Sequence, residues 1–193
     1  MIYKGNFEQL TNRLSQALKN SNDLYLSYGI HDREMITVGT EKDYNILHLP
    51  GLPVYNIGRN GGTIVHSIGD ISGIFMWKDH DFCHEFPDFL VNKLQEEGIN
   101  ARSDCNDIII DDHYKVGGFA YQTLKDGRFY VVFQLSIKCD AVAIHFMFGT
   151  PKKQPRGLDY YGISTAIVEK WLLEFLATRY QETEIQLLDN NKK

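Results

Sequence analysis

The chain has 193 residues, of which 43% are hydrophobic and 23% charged, and its formal net charge is −5. These values are typical of one globular domain and exclude an intrinsically disordered or fibrous protein. The basic cluster at residues 152–156 is too small for the positive surface that nucleic-acid binding requires, so we expect no nucleic-acid partner.

No apolar run approaches the roughly 18 residues that a membrane span needs, and the N-terminal residues contain no apolar signal-peptide core. The three cysteines, Cys83, Cys105 and Cys139, are odd in number and form no Cys-x-x-Cys pair. We therefore expect reduced thiols, a cytoplasmic location and no membrane partner.

The first half of the chain predicts one helix followed by short strands. Apolar residues at helical spacing predict the first helix: Phe7, Leu10, Leu14 and Leu18. Apolar stretches bounded by turn residues predict four strands: Asp23–Tyr28, Met35–Val38, Thr63–His66 and Gly73–Trp77.

The middle of the chain predicts a second helix and a buried strand. The apolar face of this helix is marked by four residues: Phe86, Phe89, Leu90 and Leu94. Pro87 is expected in its first turn, where proline is tolerated, and Gly98 at its end. Ile108–Ile110 predicts a short buried strand that turns at residues 111–113.

The strongest alternating pattern lies near residue 130. The apolar members of the first run are Val131, Phe133, Leu135 and Ile137, and those of a second run are Val142, Ile144, Phe146 and Phe148. Two alternating runs on either side of a turn at Cys139 and Asp140 predict a β-hairpin.

A closing helix of about 17 residues is predicted from one apolar stripe: Ile163, Ile167, Trp171 and Phe175. The chain shows no internal repeat and no linker. We expect a single domain over residues 1–181, a polar tail over 182–193 and no accessory domain. Its class is α+β, with a mixed, mostly antiparallel sheet and a few packed helices.

The first segment with chemical potential is a glycine-containing turn between two predicted strands. Gly61 and Gly62 let the backbone approach a ligand closely and point N–H groups at it. Arg59 beside them can present a planar donor fork to a phosphate or carboxylate. The simpler alternative for so short a motif is a tight surface turn.

The second segment begins at Asn106 and ends at Tyr121. Lys115 leaves the predicted turn and is followed closely by Gly117 and Gly118, so an ammonium and backbone donors can meet one bound anion. A solvated lysine on a hairpin is the simpler alternative, because most lysines are exposed.

Together the two segments resemble the lipoate/biotin protein ligase and octanoyltransferase superfamily over about residues 36–144. The family's first motif, an arginine and a glycine run followed by histidine, is matched by Arg59, Gly61, Gly62 and His66. Its second motif is matched by Asn106, Asp107, Lys115, Val116, Gly118 and Ala120. Two motifs in the family's order and separation are specific, and the lipoate-protein ligase catalytic domain is the nearest form.

The resemblance implies the biotin/lipoate ligase catalytic core, which is related to class II aminoacyl-tRNA synthetases. It implies that a lipoyl or related acid is activated by ATP and Mg²⁺ as an acyl-adenylate and transferred to a lysine of an acceptor protein. An accessory subunit is a possible further partner. The implied catalytic residue is Lys115, the substrate-binding residues are Arg59, Gly61, Gly62 and His66, and the nucleotide-binding residues are Asn106, Asp107, Gly117, Gly118 and Ala120. Asp107 is also the implied Mg²⁺ ligand.

The chain departs from the family pattern at several positions. Asn60 replaces the first glycine of the run, Ser67 replaces an aspartate, and Phe119 replaces a small residue near the expected adenylate. The octanoyltransferase form needs a late cysteine nucleophile, and Cys139 is too early for that role. Two alternatives stay open, namely acyl transfer from a thioester donor and a non-catalytic member that binds an acid or adenylate.

Overall fold

The computed structural model describes residues 2–5, 25–39, 51–56, 62–77, 80–151 and 153–179. The predicted helix near Phe7 and the polar tail lie outside these residues. Within them the chain forms an eight-stranded sheet, a three-stranded sheet and helices packed on the larger sheet. Most strand pairs are antiparallel, so the predicted α+β class is confirmed.

The strands of the described residues are, in chain order, β1 (Ile2–Gly5), β2 (Tyr25–Ile30), β3 (Met35–Val38), β4 (Val54–Asn56), β5 (Thr63–His66), β6 (Ile71–Trp77), β7 (Ala101–Asp104), β8 (Asp107–Ile110), β9 (Tyr114–Thr123), β10 (Phe129–Leu135) and β11 (Gln154–Pro155). The large sheet has the order β1-β2-β6-β10-β9-β8-β7, with β11 beside β9. The small sheet has the order β4-β3-β5.

All four strands predicted in the first half are present. The predicted bounds of β3 and β5 agree with the structure, whereas β2 and β6 each include residues that the apolar pattern missed. The short strands β1, β4 and β7 were not predicted. Strands β1 and β7 include charged residues and β4 has only three residues, so no apolar stretch marks them.

The described helices are α1 (His80–Glu96), α2 (Ala141–Phe148) and α3 (Thr165–Arg179). Gly98 has a φ of +77°, a conformation that favours glycine, so its predicted place at the end of α1 is confirmed. The prediction for Pro87 was wrong, because α1 begins at His80 and the proline lies in the helix interior. The predicted closing helix is α3, and Ile163 lies just before its first turn.

Helices α1 and α3 pack on one face of the large sheet through a cluster of phenylalanine rings. The Phe86 ring lies 5.1 Å from the Phe133 ring on β10 and 5.1 Å from the Phe175 ring on α3. A Cβ on Gly73 would clash with the Phe133 ring, so glycine lets this ring lie across β6. Helices α1 and α3 therefore cover one face of the large sheet. The candidate site described below lies away from these two helices.

The predicted hairpin after residue 140 was wrong, because the second apolar run forms helix α2. Strand β10 is already paired with β6 on one side and β9 on the other, so no edge is available for a further partner. The Asp140 carboxylate accepts a hydrogen bond from the Ala143 N–H at 2.9 Å and caps the helix. A short apolar run is compatible with either structure, and the cap and the occupied sheet edges decide for helix.

Asp70, in the loop before β6, ties the segment after β10 to the loop after β5. Its Oδ1 accepts hydrogen bonds from the Ile137 and Lys138 N–H groups at 2.7 and 3.1 Å. Its Oδ2 accepts from the Ser67 N–H at 2.9 Å. The side chain is 1% exposed, and burial raises its pKa to about 6 despite these donors. One buried carboxylate therefore holds two separate chain segments together.

Replacing Asp70 by alanine should strongly destabilise the fold. Three backbone N–H groups would lose their acceptor, and each unsatisfied buried donor costs about 1–3 kcal/mol, so we expect a loss of about 3 kcal/mol or more. Urea denaturation at pH 7 measures the change. The matched control is Asp88→Ala on the exposed face of α1, which should stay within about 0.5 kcal/mol of the parent. Equal stability of both variants would contradict the role of the Asp70 hydrogen bonds.

Candidate active site

A cavity of about 390 Å³ lies between the small sheet and the centre of the large sheet. Its first wall is formed by the start of β5, with Gly62, Ile64 and Val65 among the lining residues. The opposite wall comes from β8, β9 and the segment after β10. Helix α2 contributes Ile144, so residues of both sheets and one helix enclose the space.

The hairpin of β8 and β9 presents a lysine to this cavity. Asp111 and Asp112 have φ values of +51° and +60° and form the predicted turn; aspartate tolerates this conformation better than most residues. A β-bulge follows, with Ile108 opposite Gly117 and Ile109 opposite Lys115. A bulge changes the direction in which nearby side chains point. Here the Lys115 side chain lines the cavity, and β9 continues in the sheet on either side of the bulge.

The Lys115 ammonium contacts a carboxylate of the neighbouring strand. Its Nζ lies 2.7 Å from Oδ1 of Asp107, and the two side chains are 41% and 18% exposed, respectively. A Cβ on Gly118 would lie 3.3 Å from both Cε and Nζ of Lys115, a distance that would push the lysine aside. Glycine at 118 therefore leaves room for the ion pair.

A second ammonium, that of Lys153, reaches the same carboxylate. Its Nζ lies 2.8 Å from Oδ2 of Asp107 and 2.9 Å from Oδ2 of Asp104. The basic cluster to which Lys153 belongs, residues 152–156, is too small to predict a nucleic-acid surface. Lys153 instead lines the cavity. No sequence signal indicates this contact, because it joins residues 46 positions apart.

The cavity brings together residues from both motifs: Gly62, Asp107, Lys115, Gly117 and Gly118. Three other residues of the second motif, Asn106, Val116 and Ala120, are not among the lining residues. The carbonyl of Asn106 accepts a hydrogen bond from Phe119 N–H at 2.8 Å, and Ala120 pairs with Val132 inside the sheet. Arg59 and Gly61, predicted to bind substrate, lie outside the described residues.

His66, predicted near the mouth of the acyl site, is buried away from the cavity. The cavity-lining residues next to it are Val65 and Ser67. Its Nε2 is hydrogen-bonded to Thr37 Oγ1 at 2.8 Å, and its ring stacks on that of His31 at 4.2 Å. The His66 side chain is only 2% exposed, so it faces the interior between the sheets and not the cavity.

The two stacked histidines link the sheets. His66 belongs to β5 of the small sheet, and His31 Nε2 is hydrogen-bonded at 2.8 Å to Ser72 Oγ on β6 of the large sheet. Burial lowers the pKa of His31 to about 4 and that of His66 well below its ordinary value. Both rings are therefore neutral at pH 7.

Phe119 and Cys139 also lie elsewhere than the sequence indicated. The Phe119 side chain is buried against Phe86 in the core, so it does not place bulk in the cavity. This removes one support for a non-catalytic family member. Cys139 lines the cavity, and burial, followed by the charge of Asp70, raises the pKa of its thiol to about 12. A thiolate nucleophile is therefore scarce at pH 7.

The residues around Asp107 do not fit the implied Mg²⁺ site. Both carboxylate oxygens contact ammonium groups, so a metal ion would have to displace one of them. Among the described residues, no three His, Cys, Asp or Glu side chains converge on a point where a metal could bind.

None of the described helices is long and apolar enough to cross a membrane.

Residues 8–167 match the sequence model of the lipoyl protein ligase A/B catalytic domain. The chain belongs to this family. The match spans both motifs and the cavity between them, and it confirms the superfamily predicted from the motifs. A comparison with curated proteins finds no match.

Several solved structures share the fold. LipL1 of P. falciparum, solved with lipoate, is 19% identical with a TM-score of 0.71; the alignment covers 97% of this chain but 63% of that one. A bi-partite lipoate protein ligase from Thermoplasma acidophilum, analysed with its E2 lipoyl domain, is 16% identical (TM-score 0.69; 92% and 82% covered). A lipoate-protein ligase A bound with ATP is 15% identical (TM-score 0.67; 92% and 83% covered). The chain thus spans less than two thirds of the length of the P. falciparum protein.

The stacked histidines should make the fold sensitive to acid. Because the pKa of His31 is about 4 when folded and 6.5 when unfolded, the unfolded chain takes up the proton first. The free energy of unfolding should fall between pH 6.5 and 4 by at most about 3 kcal/mol through this residue. Asp70 has the opposite effect. Because the pKa of Asp70 is raised in the folded protein, its contribution to the free energy of unfolding increases as the pH falls below 6.

The contribution of His31 is isolated by comparing how steeply the free energy of unfolding changes with pH in the parent and in two variants. Urea denaturation at several pH values should show a smaller loss on acidification for His31→Gln than for the parent. His113→Gln, in the exposed β8–β9 turn, should keep the parental slope. Parallel pH curves for His31→Gln and the parent would contradict the prediction.

Proposed function

We propose that this protein is a lipoate-protein ligase-like enzyme. It activates a lipoyl or related carboxylic acid with ATP and transfers the acyl group to a lysine of an acceptor protein. The observation that carries the proposal is the ammonium of Lys115 in a cavity beside Gly62 and Gly118. Membership in the family and the fold shared with lipoate-bound and ATP-bound relatives support it.

The cavity is suited to an acid with an apolar chain. Ile64, Val65 and Ile144 offer aliphatic contacts, and the volume of about 390 Å³ lies within the usual range for ligand pockets. Lys115 supplies the positive charge that a carboxylate needs. A Cβ on Gly62 would meet no atom of the described residues within 4 Å, which leaves space beside this backbone for a substrate.

In the first step, a carboxylate oxygen of the acid attacks the α-phosphorus of ATP. The bond from this phosphorus to the bridging oxygen breaks, and pyrophosphate leaves. Negative charge grows on the α-phosphate oxygens in the transition state, and a fixed ammonium stabilises that charge more than it stabilises the separated reactants. Lys115 is the proposed source of this stabilisation.

In the second step, the neutral amine of the acceptor lysine attacks the acyl carbon of the adenylate. The bond to the phosphate oxygen breaks, AMP leaves, and the new amide loses a proton to solvent. The Lys115 ammonium stabilises the carbonyl oxygen and the departing phosphate. The acceptor protein and an accessory subunit are proposed partners, and the T. acidophilum relative, described as bi-partite and analysed with its E2 lipoyl domain, supports them.

Substituting Lys115 by methionine should lower turnover by at least about 100-fold, because the charge that stabilises both transition states is lost. Pyrophosphate release is measured with ATP, Mg²⁺ and separate additions of lipoate, octanoate and biotin. The matched control, Lys125→Met, changes an exposed lysine in the turn between β9 and β10 and should keep parental activity. Circular dichroism should show both variants folded, since Lys115 is partly exposed.

Two outcomes would count against this function. If no acid supports pyrophosphate release by the parent protein, with or without an added accessory protein, the ligase proposal fails. If Lys115→Met keeps parental turnover, Lys115 is not the catalytic residue.

Acyl transfer from a thioester donor is the second candidate, because Cys139 lines the same cavity. Its thiol has a pKa raised to about 12, so it is a poor nucleophile at pH 7. We therefore expect Cys139→Ser to keep ATP-dependent acylation within about twofold of the parent. Mass spectrometry after incubation with an octanoyl thioester should find no acyl group on Cys139. An acylated cysteine and an inactive serine variant would favour the transferase instead.

A further inference from the structure

Lys153 occupies the middle of a chain of alternating charges along the cavity wall. The order is Lys115, Asp107, Lys153 and Asp104, and the successive N–O distances are 2.7, 2.8 and 2.9 Å. Each oxygen of the Asp107 carboxylate meets a different ammonium. Lys153 and Lys115 therefore share one carboxylate.

Sharing this carboxylate determines how much positive charge Lys115 can offer a substrate. An ammonium paired with a single carboxylate forms a nearly neutral unit that attracts a further anion weakly. Lys153 divides the negative charge of Asp107 between two ammonium groups, so Lys115 is neutralised less completely, although the four groups including Asp104 are together neutral. The second ammonium also occupies Oδ2, so the Asp107 carboxylate cannot turn both oxygens toward Lys115.

The backbone holds Lys153 in this place. Strand β11 pairs with β9 in parallel, with Pro155 opposite Lys115, and the Arg156 N–H donates to the Lys115 carbonyl at 3.1 Å. The Arg156 guanidinium lies 3.1 Å from the centre of the Tyr114 ring, which fixes the strand from its outer side. Lys153 precedes this anchored segment, and its side chain returns across β9 to β8.

We propose that Lys153 is a positioning residue for Lys115. It binds the second oxygen of Asp107, holds that carboxylate in place and leaves the Lys115 ammonium with charge for the substrate anion. The catalytic benefit rests on the proposed function. The sharing of Asp107 is a property of the folded protein and can be tested without any substrate.

The first test measures the reactivity of the Lys115 amine. The folded protein is treated with trace acetic anhydride, and mass spectrometry compares acetylation of Lys115 with that of exposed Lys125 in the turn between β9 and β10. In Lys153→Met, Asp107 has only Lys115 to pair with, so acetylation of Lys115 should slow several-fold. In the Asp107→Asn background the same substitution should have no effect. Lys93→Met, which breaks an ion pair with Glu174 far from the cavity, should leave Lys115 reactivity unchanged.

The second test measures acid-dependent pyrophosphate release. Lys153→Met should lower kcat/KM by about tenfold, a coupling usual for charges in contact. Lys153→Arg, which keeps the charge, should restore at least half of the activity. In the Asp107→Asn background, loss of the Lys153 charge should cost less than about twofold, because the partner through which it acts is gone.

Distinct results would overturn the two proposals. Unchanged acetylation of Lys115 in Lys153→Met shows that Lys153 does not control the Lys115–Asp107 pair. An equal loss of activity in both Asp107 backgrounds shows that Lys153 acts directly on substrate. Absence of pyrophosphate release by the parent protein defeats the proposed ligase function, and the acetylation result then still decides the role of Lys153.

Discussion

The buried carboxylate of Asp70 is the interaction on which the cavity depends. The two walls come from different sheets, and Asp70 joins them by accepting from Ser67 on one side and from Ile137 and Lys138 on the other. Burial of this group is costly, as its pKa of about 6 indicates, and the backbone donors offset that cost. The neutral, stacked rings of His31 and His66 are a second link between the two sheets.

A small number of ionisable side chains set the charge of the cavity wall. The stacked histidines are neutral at pH 7, and Asp107 is shared between Lys115 and Lys153. Among the described residues that line the cavity, Lys115, Lys138 and Lys153 outnumber Asp107, so a positive wall faces aliphatic side chains of the small sheet. Such a pairing suits an acid whose carboxylate must be held while its chain is buried, in line with the family to which the chain belongs.

The motifs predicted the positions of the backbone better than the direction of each side chain. Lys115 and Gly118 reach the cavity as the second motif indicated, although their catalytic and nucleotide-binding roles stay predictions. His66 and Phe119 belong to the same motifs and face the interior. Alternation along the strands could not have found this, because adjacent residues line the cavity on both strands, Ile64 with Val65 and Gly117 with Gly118.

Local patterns in the sequence determined β3, β5, the end of α1 at Gly98 and the turn before Lys115, because those features depend on neighbouring side chains and on backbone conformation. Residues 141–148 form a helix because Asp140 caps it locally and because both edges of β10 are already paired, and only the second reason belongs to the tertiary structure. It also decided that Lys153 meets Asp107 across 46 positions. Strand order brings these residues together, and no local periodicity encodes strand order.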